Sequence, residues 1–233
     1  HDDTFYVSLK NNIIWLVLYL LSIPAGLAVA LFLNQNVYGI RLYKSLFFFP
    51  FVISQVVVGL MFSWFYAPDF GLFSKILEWL TGEQIAVLAD ENYVTYGIIA
   101  AGLWPQTAYC MILYLTGLNN INPEQVEAAR MDGAKGLKLL WNIILPQLGP
   151  ATFIAMVVTV IGSLRSFDLV SVMTAGGPYG SSSVLSYFMY EQALSEYGFR
   201  MGYGAAIAVV LFLIMMIFIT LFIVRMLSQE RNS

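Results

Sequence analysis

Few residues in this sequence could carry out chemistry on a bound molecule. Among its 233 residues the chain has one histidine, His1, and one cysteine, Cys110. A zinc site or a catalytic triad needs several such residues together, so histidine- and cysteine-based sites of these kinds are excluded. The Gly-x4-Gly-Lys-Ser/Thr spacing of a phosphate-binding loop is also absent. The sequence therefore predicts no catalytic residue, no metal ligand and no cofactor on this chain.

The side chains that could contact a ligand are hydroxyl, amide and aromatic groups inside long apolar stretches. Such groups can replace the water around a polar solute. They can equally join neighbouring helices by hydrogen bonds, and this interpretation stays open. A polar residue inside a membrane-spanning helix is costly, which makes each one a candidate for function. The predicted solute-binding residues are Gln55, Gln106, Tyr109, Thr159, Ser163, Arg165 and Ser166.

The fourth predicted span contains three hydroxyl side chains and two charged residues. Thr159, Ser163 and Ser166 follow one another at i, i+4 and i+7, which predicts one face of one helix. Arg165 and Asp168 lie three residues apart in the same stretch. An ion pair between them would lower the cost of both charges in a membrane. Alternatively, Arg165 faces a cavity and meets an anionic solute.

The apolar stretches that carry these residues predict a membrane protein. Hydrophobic residues make up 59% of the chain, charged residues only 11%, and the mean hydropathy is +0.75. These values exclude a soluble globular domain, a coiled coil and a nucleic-acid-binding protein. Apolar runs of about 20 residues predict membrane-spanning helices. Three of the runs contain Pro24, Pro50 or Pro105, which either kink or break a helix. The five predicted spans cover roughly residues 11–33, 46–66, 95–117, 151–172 and 204–227.

The basic residues predict the orientation of these spans, because cytoplasmic loops are enriched in Lys and Arg. We expect residues 34–45, 118–150 and 228–233 to face the cytoplasm, and residues 67–94 and 173–203 to face outward. This places the amino end outside, so we expect an earlier helix to be missing from this sequence. The predicted cytoplasmic segments hold most of the basic residues: Arg41, Lys44, Arg130, Lys135, Lys138, Arg225 and Arg231.

Residues 118–150 are too long for a simple connection between helices. Asn122 is a good N-cap, Pro123 suits the first helical position, and Glu124 complements the positive end of a helix. The pattern predicts a short helix over residues 123–132, followed by a turn at Gly133, since glycine tolerates left-handed conformations. A second, amphipathic stretch is predicted over residues 137–145. These residues alone do not decide between a rigid knob and a helix that caps the bundle.

The same loop resembles the EAA loop of bacterial binding-protein-dependent ABC import permeases. Glu127-Ala128-Ala129, Gly133, Ile143 and Leu145-Pro146 fit that motif at every fixed position. Most of the chain shares the resemblance. Further similar segments are Asn11-Asn12, residues 26–31, residues 44–50, residues 69–72, Phe167-Asp168 and residues 174–178. The last two segments resemble the carbohydrate-uptake branch of the family, and residues 174–178 resemble the counterpart of the larger maltose-importer permease.

The resemblance implies an all-α polytopic membrane protein with the transmembrane bundle of a type I ABC importer. It also implies that residues 1–233 form one permease domain. The family has at least six helices, so five visible spans again suggest a missing first helix. In the family, the EAA helix docks into a groove of the ATPase. Motif matching also implies that all the predicted solute-binding residues except Arg165 lie at or next to the family's sugar site. By resemblance, the residues coupled to the ATPase would be Glu127, Ala128, Ala129, Asp132 and Gly133.

The resemblance further implies the surroundings of the protein. The chain would be a multi-pass protein of the bacterial inner membrane and would move a sugar or related solute into the cytoplasm. Its partners would be a second homologous permease, two ATPase subunits that hold ATP and Mg, and an extracytoplasmic solute-binding protein. An ion-coupled secondary transporter would need carboxylates deep in the spans, and Asp168 is the only carboxylate near such a position. A membrane scaffold subunit would leave the 118–150 loop unexplained.

Overall fold

The computed structural model of the protein describes residues 2–35, 38–195 and 199–232, with side chains up to residue 225. The described residues form helices and no strand, in agreement with the predicted all-α class. The helices are α1 (Asp3–Tyr19), α2 (Ser22–Leu33), α3 (Ile40–Val52), α4 (Gln55–Phe65), α5 (Leu72–Thr81), α6 (Val94–Asn119), α7 (Pro123–Met131), α8 (Leu137–Leu139), a π-helix (Leu140–Ile144), α9 (Leu145–Gln147), α10 (Gly149–Leu164), α11 (Phe167–Met173), α12 (Leu185–Leu194) and α13 (Met201–Asn232).

Three described helical segments are long and apolar enough to cross a membrane: Asp3–Leu33, Val94–Asn119 and Met201–Arg225. The predicted five spans are reached if two bent pairs, Ile40–Val52 with Gln55–Phe65 and Leu137–Gln147 with Gly149–Leu164, each count as one. Pro105 lies inside the continuous helix α6, whereas the break between α3 and α4 follows Pro50 closely. Pro105 is therefore accommodated within a continuous helix, whereas Pro50 lies beside a break in its span.

The predicted fourth span, residues 151–172, is wrong at its end. Helix α10 stops at Leu164, and Ser166 has a non-helical ψ of 57°. The Ser166 hydroxyl donates to the Ser163 carbonyl oxygen at 2.9 Å, and the Phe167 amide donates to the Arg165 carbonyl at 2.7 Å. In a continuous helix, Phe167 would instead donate to Ser163, so the serine hydroxyl competes with the helical bond. Ser166 does not share a helical face with Thr159 and Ser163, and Asp168 lies on α11.

The chain divides into two compact units, of which the first comprises the described residues of 1–19, 53–104 and 160–233. Its buried core includes Trp15, Val58, Ile98 and Val170. Helix α4 packs closely on α11 because it presents Gly59 there: a Cβ at that position would lie 3.1 Å from Val172 Cγ1. Between membrane helices, close approach of this kind stabilises the packing through van der Waals contacts.

The second unit comprises the described residues of 20–52 and 105–159. Its core contains Leu33, Met111, Tyr114 and Leu148, all almost fully buried. Helices α2 and α6 approach closely at Gly26, where an added Cβ would lie 2.5 Å from Cys110 Cβ. A larger side chain at this contact would force the two helices apart, as small residues allow close packing in membrane helices.

Candidate functional site

The loop that carries the EAA motif begins with a capped helix. The Asn122 side chain accepts a hydrogen bond from the Glu124 amide at 2.9 Å, and Pro123 occupies the first turn of α7. This bond satisfies one of the free amides at the start of the helix. The predicted N-cap and start of the helix are confirmed, and α7 ends at Met131, one residue before the predicted end.

The end of α7 is closed by a glycine turn. Gly133 has φ of +85°, its amide donates to the Arg130 carbonyl, and the Ala134 amide donates to the Ala129 carbonyl at 2.9 Å. These two bonds form a Schellman motif, which satisfies carbonyls that the helix leaves free. The predicted left-handed turn at Gly133 is therefore present. We call residues 122–136, the capped helix and its turn, the EAA segment.

The EAA segment presents most of its predicted coupling residues to the outside of the described chain. Glu127, Ala128, Asp132 and Gly133 are exposed, whereas Ala129 is only 9% exposed. Helix α7 contacts α8 and the π-helix that follows it. Ala128 is thus the accessible member of the alanine pair. The π-helix replaces part of the regular amphipathic stretch predicted over residues 137–145.

Within the second unit, the structure brings Gln106 and Thr159 together. Gln106 Nε2 donates to Thr159 Oγ1 at 2.9 Å, joining α6 to α10. The Cys110 thiol lies 3.7 Å from Thr159 Oγ1 and 3.5 Å from the Ser22 hydroxyl. Tyr109 packs its ring against Phe51 at a centroid distance of 5.3 Å. The hydrogen bond corresponds to the helix-joining alternative left open for Gln106 and Thr159.

Within the first unit, the other predicted solute-binding residues have different surroundings. Ser163 is fully buried and donates to the Val160 carbonyl at 2.8 Å. Gln55, at the start of α4, has a buried Oε1 atom without a hydrogen-bond partner. Arg165 and Asp168 are both exposed, and in the described part of the chain no ion pair joins them. The predicted Arg165–Asp168 pair is therefore not formed, since the two residues lie on either side of the break after α10.

A second organised loop was not singled out as a site from the sequence. Residues 174–184, which we call the Gly-Gly-Pro loop, are held by polar side chains of α1. Asn11 Nδ2 donates to the carbonyls of Ser181 and Ser183, at 2.6 and 2.8 Å. Asn12 Oδ1 accepts from the Leu185 amide at 2.8 Å. The Asn11-Asn12 pair is the one signal in the sequence that could have indicated these bonds.

The sequence of this chain is similar to those of known transport proteins. Residues 22–232 match the family described as binding-protein-dependent transport system inner membrane component. The probable ABC transporter permease protein PH1215 of Pyrococcus horikoshii is 36% identical over 223 residues, covering 93% of this chain and 75% of that protein. The sn-glycerol-3-phosphate transport system permease protein UgpA of Agrobacterium fabrum is 31% identical, covering 91% of this chain and 72% of its own length.

A solved structure shows the same fold. It is that of a bacterial alginate ABC transporter in complex with an alginate pentasaccharide-bound periplasmic protein. The match covers 95% of this chain and 78% of that chain, with a TM-score of 0.85 and 21% identity. The described helices thus adopt the fold of an ABC importer transmembrane domain. The chain belongs to the family of inner membrane components of binding-protein-dependent transport systems, and it is a permease subunit of an ABC importer.

Proposed function

We propose that this permease moves a carbohydrate or related solute across the bacterial plasma membrane into the cytoplasm, driven by ATP hydrolysis on a separate subunit. The observation that carries the proposal is the EAA segment. Its motif stands on a short helix that is capped at both ends and exposed. A helix whose ends are fixed in this way can transmit a movement of a bound partner without unfolding.

The proposed complex contains a second homologous permease, two ATPase subunits that bind ATP and Mg, and an extracytoplasmic solute-binding protein. The family description itself refers to a binding protein. The alginate transporter of similar fold is in complex with a periplasmic protein. The exposed coupling residues Glu127, Ala128, Asp132 and Gly133 offer a surface for the ATPase.

A carbohydrate is the proposed solute class because two similar proteins have names that indicate such solutes. UgpA belongs to an sn-glycerol-3-phosphate transport system, and the alginate transporter takes a polysaccharide. The hydroxyl and amide groups that would bind the solute are those predicted from the sequence. Gln106, Thr159 and Ser163 each make at least one hydrogen bond within the chain, and each keeps a further donor or acceptor that could bind the solute.

Arg165 favours a second candidate, a solute with an acidic group. Its side chain is exposed, and within the described residues no carboxylate pairs with it. A guanidinium binds phosphate or carboxylate through two parallel hydrogen bonds, a geometry that lysine cannot provide.

We expect Arg165→Gln to reduce uptake of glycerol 3-phosphate, or of another acidic solute that proves to be transported. The melting temperature of the complex should stay unchanged, because no ion pair is lost. A lower melting temperature with normal uptake would contradict this role.

The solute site is tested by solute-stimulated ATPase activity in proteoliposomes that contain the whole complex and its binding protein. Loss of one hydrogen bond to a bound solute costs about 1–3 kcal/mol, or roughly one to two decades in affinity. We therefore expect Ser163→Ala and Gln106→Ala each to raise the solute concentration needed for half-maximal ATPase stimulation. Unchanged apparent affinity in both variants would remove these residues from the solute site.

The proposed orientation has a separate test. A cysteine introduced at Glu83 should react from outside intact cells with a thiol reagent that cannot cross the membrane. A cysteine at Lys138 should react only after the cells are opened. The native Cys110 is buried and contributes little background. The reverse labelling pattern would overturn the orientation without affecting the family assignment.

A further inference from the structure

Helix α5 (Leu72–Thr81) is an amphipathic helix that follows the α3–α4 span by a short connection. It has ten residues, and only two of them, Lys75 and Glu78, are charged. It is too short to cross a bilayer, since a span needs about 20 residues. Its position and composition therefore raise the question of what surrounds it.

One side of α5 is fixed to the first unit. The Phe73 ring packs against Phe65 and Tyr66, at centroid distances of 5.7 and 5.3 Å. The buried Ser74 hydroxyl donates to the Tyr66 carbonyl at 2.9 Å. These contacts join α5 to the end of α4 and set the rotation of the helix about its axis.

The other apolar side of α5 has no contact that would bury it in the described chain. Leu72 is 62% exposed, Ile76 47%, Trp79 83% and Leu80 65%. At 100° per residue, these four positions fall within an arc of roughly 100°. We call them the apolar stripe of α5. Lys75 lies directly beside the stripe, while Glu78 lies farther round the helix.

We propose that the apolar stripe of α5 lies in the headgroup region of the lipid bilayer, so that the helix anchors the end of the α3–α4 span to the membrane surface. Amphipathic helices of this kind lie in the interface with their apolar face among the upper acyl chains. Tryptophan is enriched at that depth, and Trp79 is the most exposed residue of the stripe.

Lipid fits the stripe better than a protein partner for two reasons. The neighbouring helix α4 also exposes apolar side chains: Trp64 near its end is 68% exposed and Leu60 is 47% exposed, in a segment composed like a membrane span. In addition, Lys75 beside the stripe can extend its ammonium group to lipid phosphates while its alkyl chain stays with the apolar side chains.

The test is spin labelling of the assembled complex in vesicles of phosphatidylethanolamine and phosphatidylglycerol. Single cysteines replace Ile76, Trp79 or Glu78, each carrying a nitroxide. Oxygen collects in the acyl region, whereas a nickel chelate stays in water. We expect the ratio of oxygen to nickel accessibility to be several-fold higher at positions 76 and 79 than at the matched control, position 78. The three sites lie on one helix, so misfolding would affect them alike.

Two results would overturn the proposal. Equal nickel accessibility at positions 76, 78 and 79 would mean that water surrounds α5. Immobilised labels at 76 and 79 that neither reagent reaches would mean that another protein chain covers the stripe. Both results are independent of transport, because the measurement needs no solute. Failure of this inference therefore leaves the proposed function untouched.

Discussion

The Gly-Gly-Pro loop and the EAA segment are both glycine-containing loops between helices, but they are held in different ways. The Gly-Gly-Pro loop is fixed by distant side chains: Asn11 bonds to two of its carbonyls, and Thr95 Oγ1 donates to one of them at 3.3 Å. The EAA segment is held by its own caps at Asn122 and Gly133. No described hydrogen bond links the side chains of residues 122–136 to a distant part of the chain.

The two loops therefore obtain their shapes in different ways. The Gly-Gly-Pro loop depends on the folding of the first unit, because its carbonyls need partners on α1. The EAA segment takes its shape from its own caps and from packing on the residues that follow it directly, and its exposed face stays free to bind a partner. A locally capped helix suits a proposed role in which the contact surface keeps its shape while the partner moves.

The largest expected effect comes from replacing Gly133 with valine. No atom lies within 4 Å of a Cβ built there, so the effect is one of backbone strain at φ of +85°. A non-glycine residue in this region costs about 1–2 kcal/mol, and β-branching makes it worse. We expect Gly133→Val to abolish solute uptake while membrane insertion stays normal.

The matched control for Gly133 is Gly82, at the end of α5. It has φ of +74° and also has no atom within 4 Å of a built Cβ. Gly82→Val should carry similar strain but retain uptake, because this position lies outside the EAA segment. Uptake at the normal rate in Gly133→Val, or equal loss in both variants, would remove the special role of the EAA segment.

The next effect concerns the Gly-Gly-Pro loop. Asn11→Ala removes two hydrogen bonds and leaves the Ser183 carbonyl without its Asn11 donor, whereas Ser181 keeps its bond from Thr95. An unsatisfied buried polar group costs about 1–3 kcal/mol. We expect a clearly lower melting temperature and faster proteolysis within residues 174–184. The exposed Asn119→Ala serves as the control. A melting temperature unchanged from the native complex would show that the loop does not depend on α1.

These two loops also show what the sequence could and could not reveal. The caps at Asn122 and Gly133 were predictable because each acts on residues two to five positions away. The bonds of Asn11 reach carbonyls about 170 residues later, a separation at which sequence spacing carries no information. The break after α10 was missed for a third reason: a single serine hydroxyl, that of Ser166, takes the carbonyl that would have continued the helix.

A smaller effect is expected at the N-cap of the EAA segment. Asn122→Ala removes the acceptor for the Glu124 amide, which costs about 0.5–2 kcal/mol of helix stability. Solute-stimulated ATPase activity should fall partly, because α7 would be folded for less of the time. Asn122→Asp keeps an oxygen acceptor and should restore activity. Equal activity in the alanine and aspartate variants would contradict local capping as the source of the shape.

The smallest effect is expected for the long-range bond inside the second unit, between Gln106 and Thr159. Bonds between membrane helices contribute about 0.6 kcal/mol on average. In a double-mutant cycle of Gln106→Ala and Thr159→Val, we expect a coupling free energy of unfolding of about this size. Complete additivity would show that the 2.9 Å bond does not stabilise the unit.

Cross-linking of the assembled complex shows whether the exposed face of the EAA segment contacts a separate ATPase. The complex is purified through a tag on this chain, with a cysteine at Ala128 or, as control, at Gly82. That cysteine carries a benzophenone maleimide, which on illumination forms a bond to C–H groups of any chain in contact with it. We predict that an ATPase subunit purifies with the chain and is cross-linked through position 128 but not through position 82. A complex without an ATPase, or an ATPase cross-linked at position 82 and not at 128, would contradict the claim.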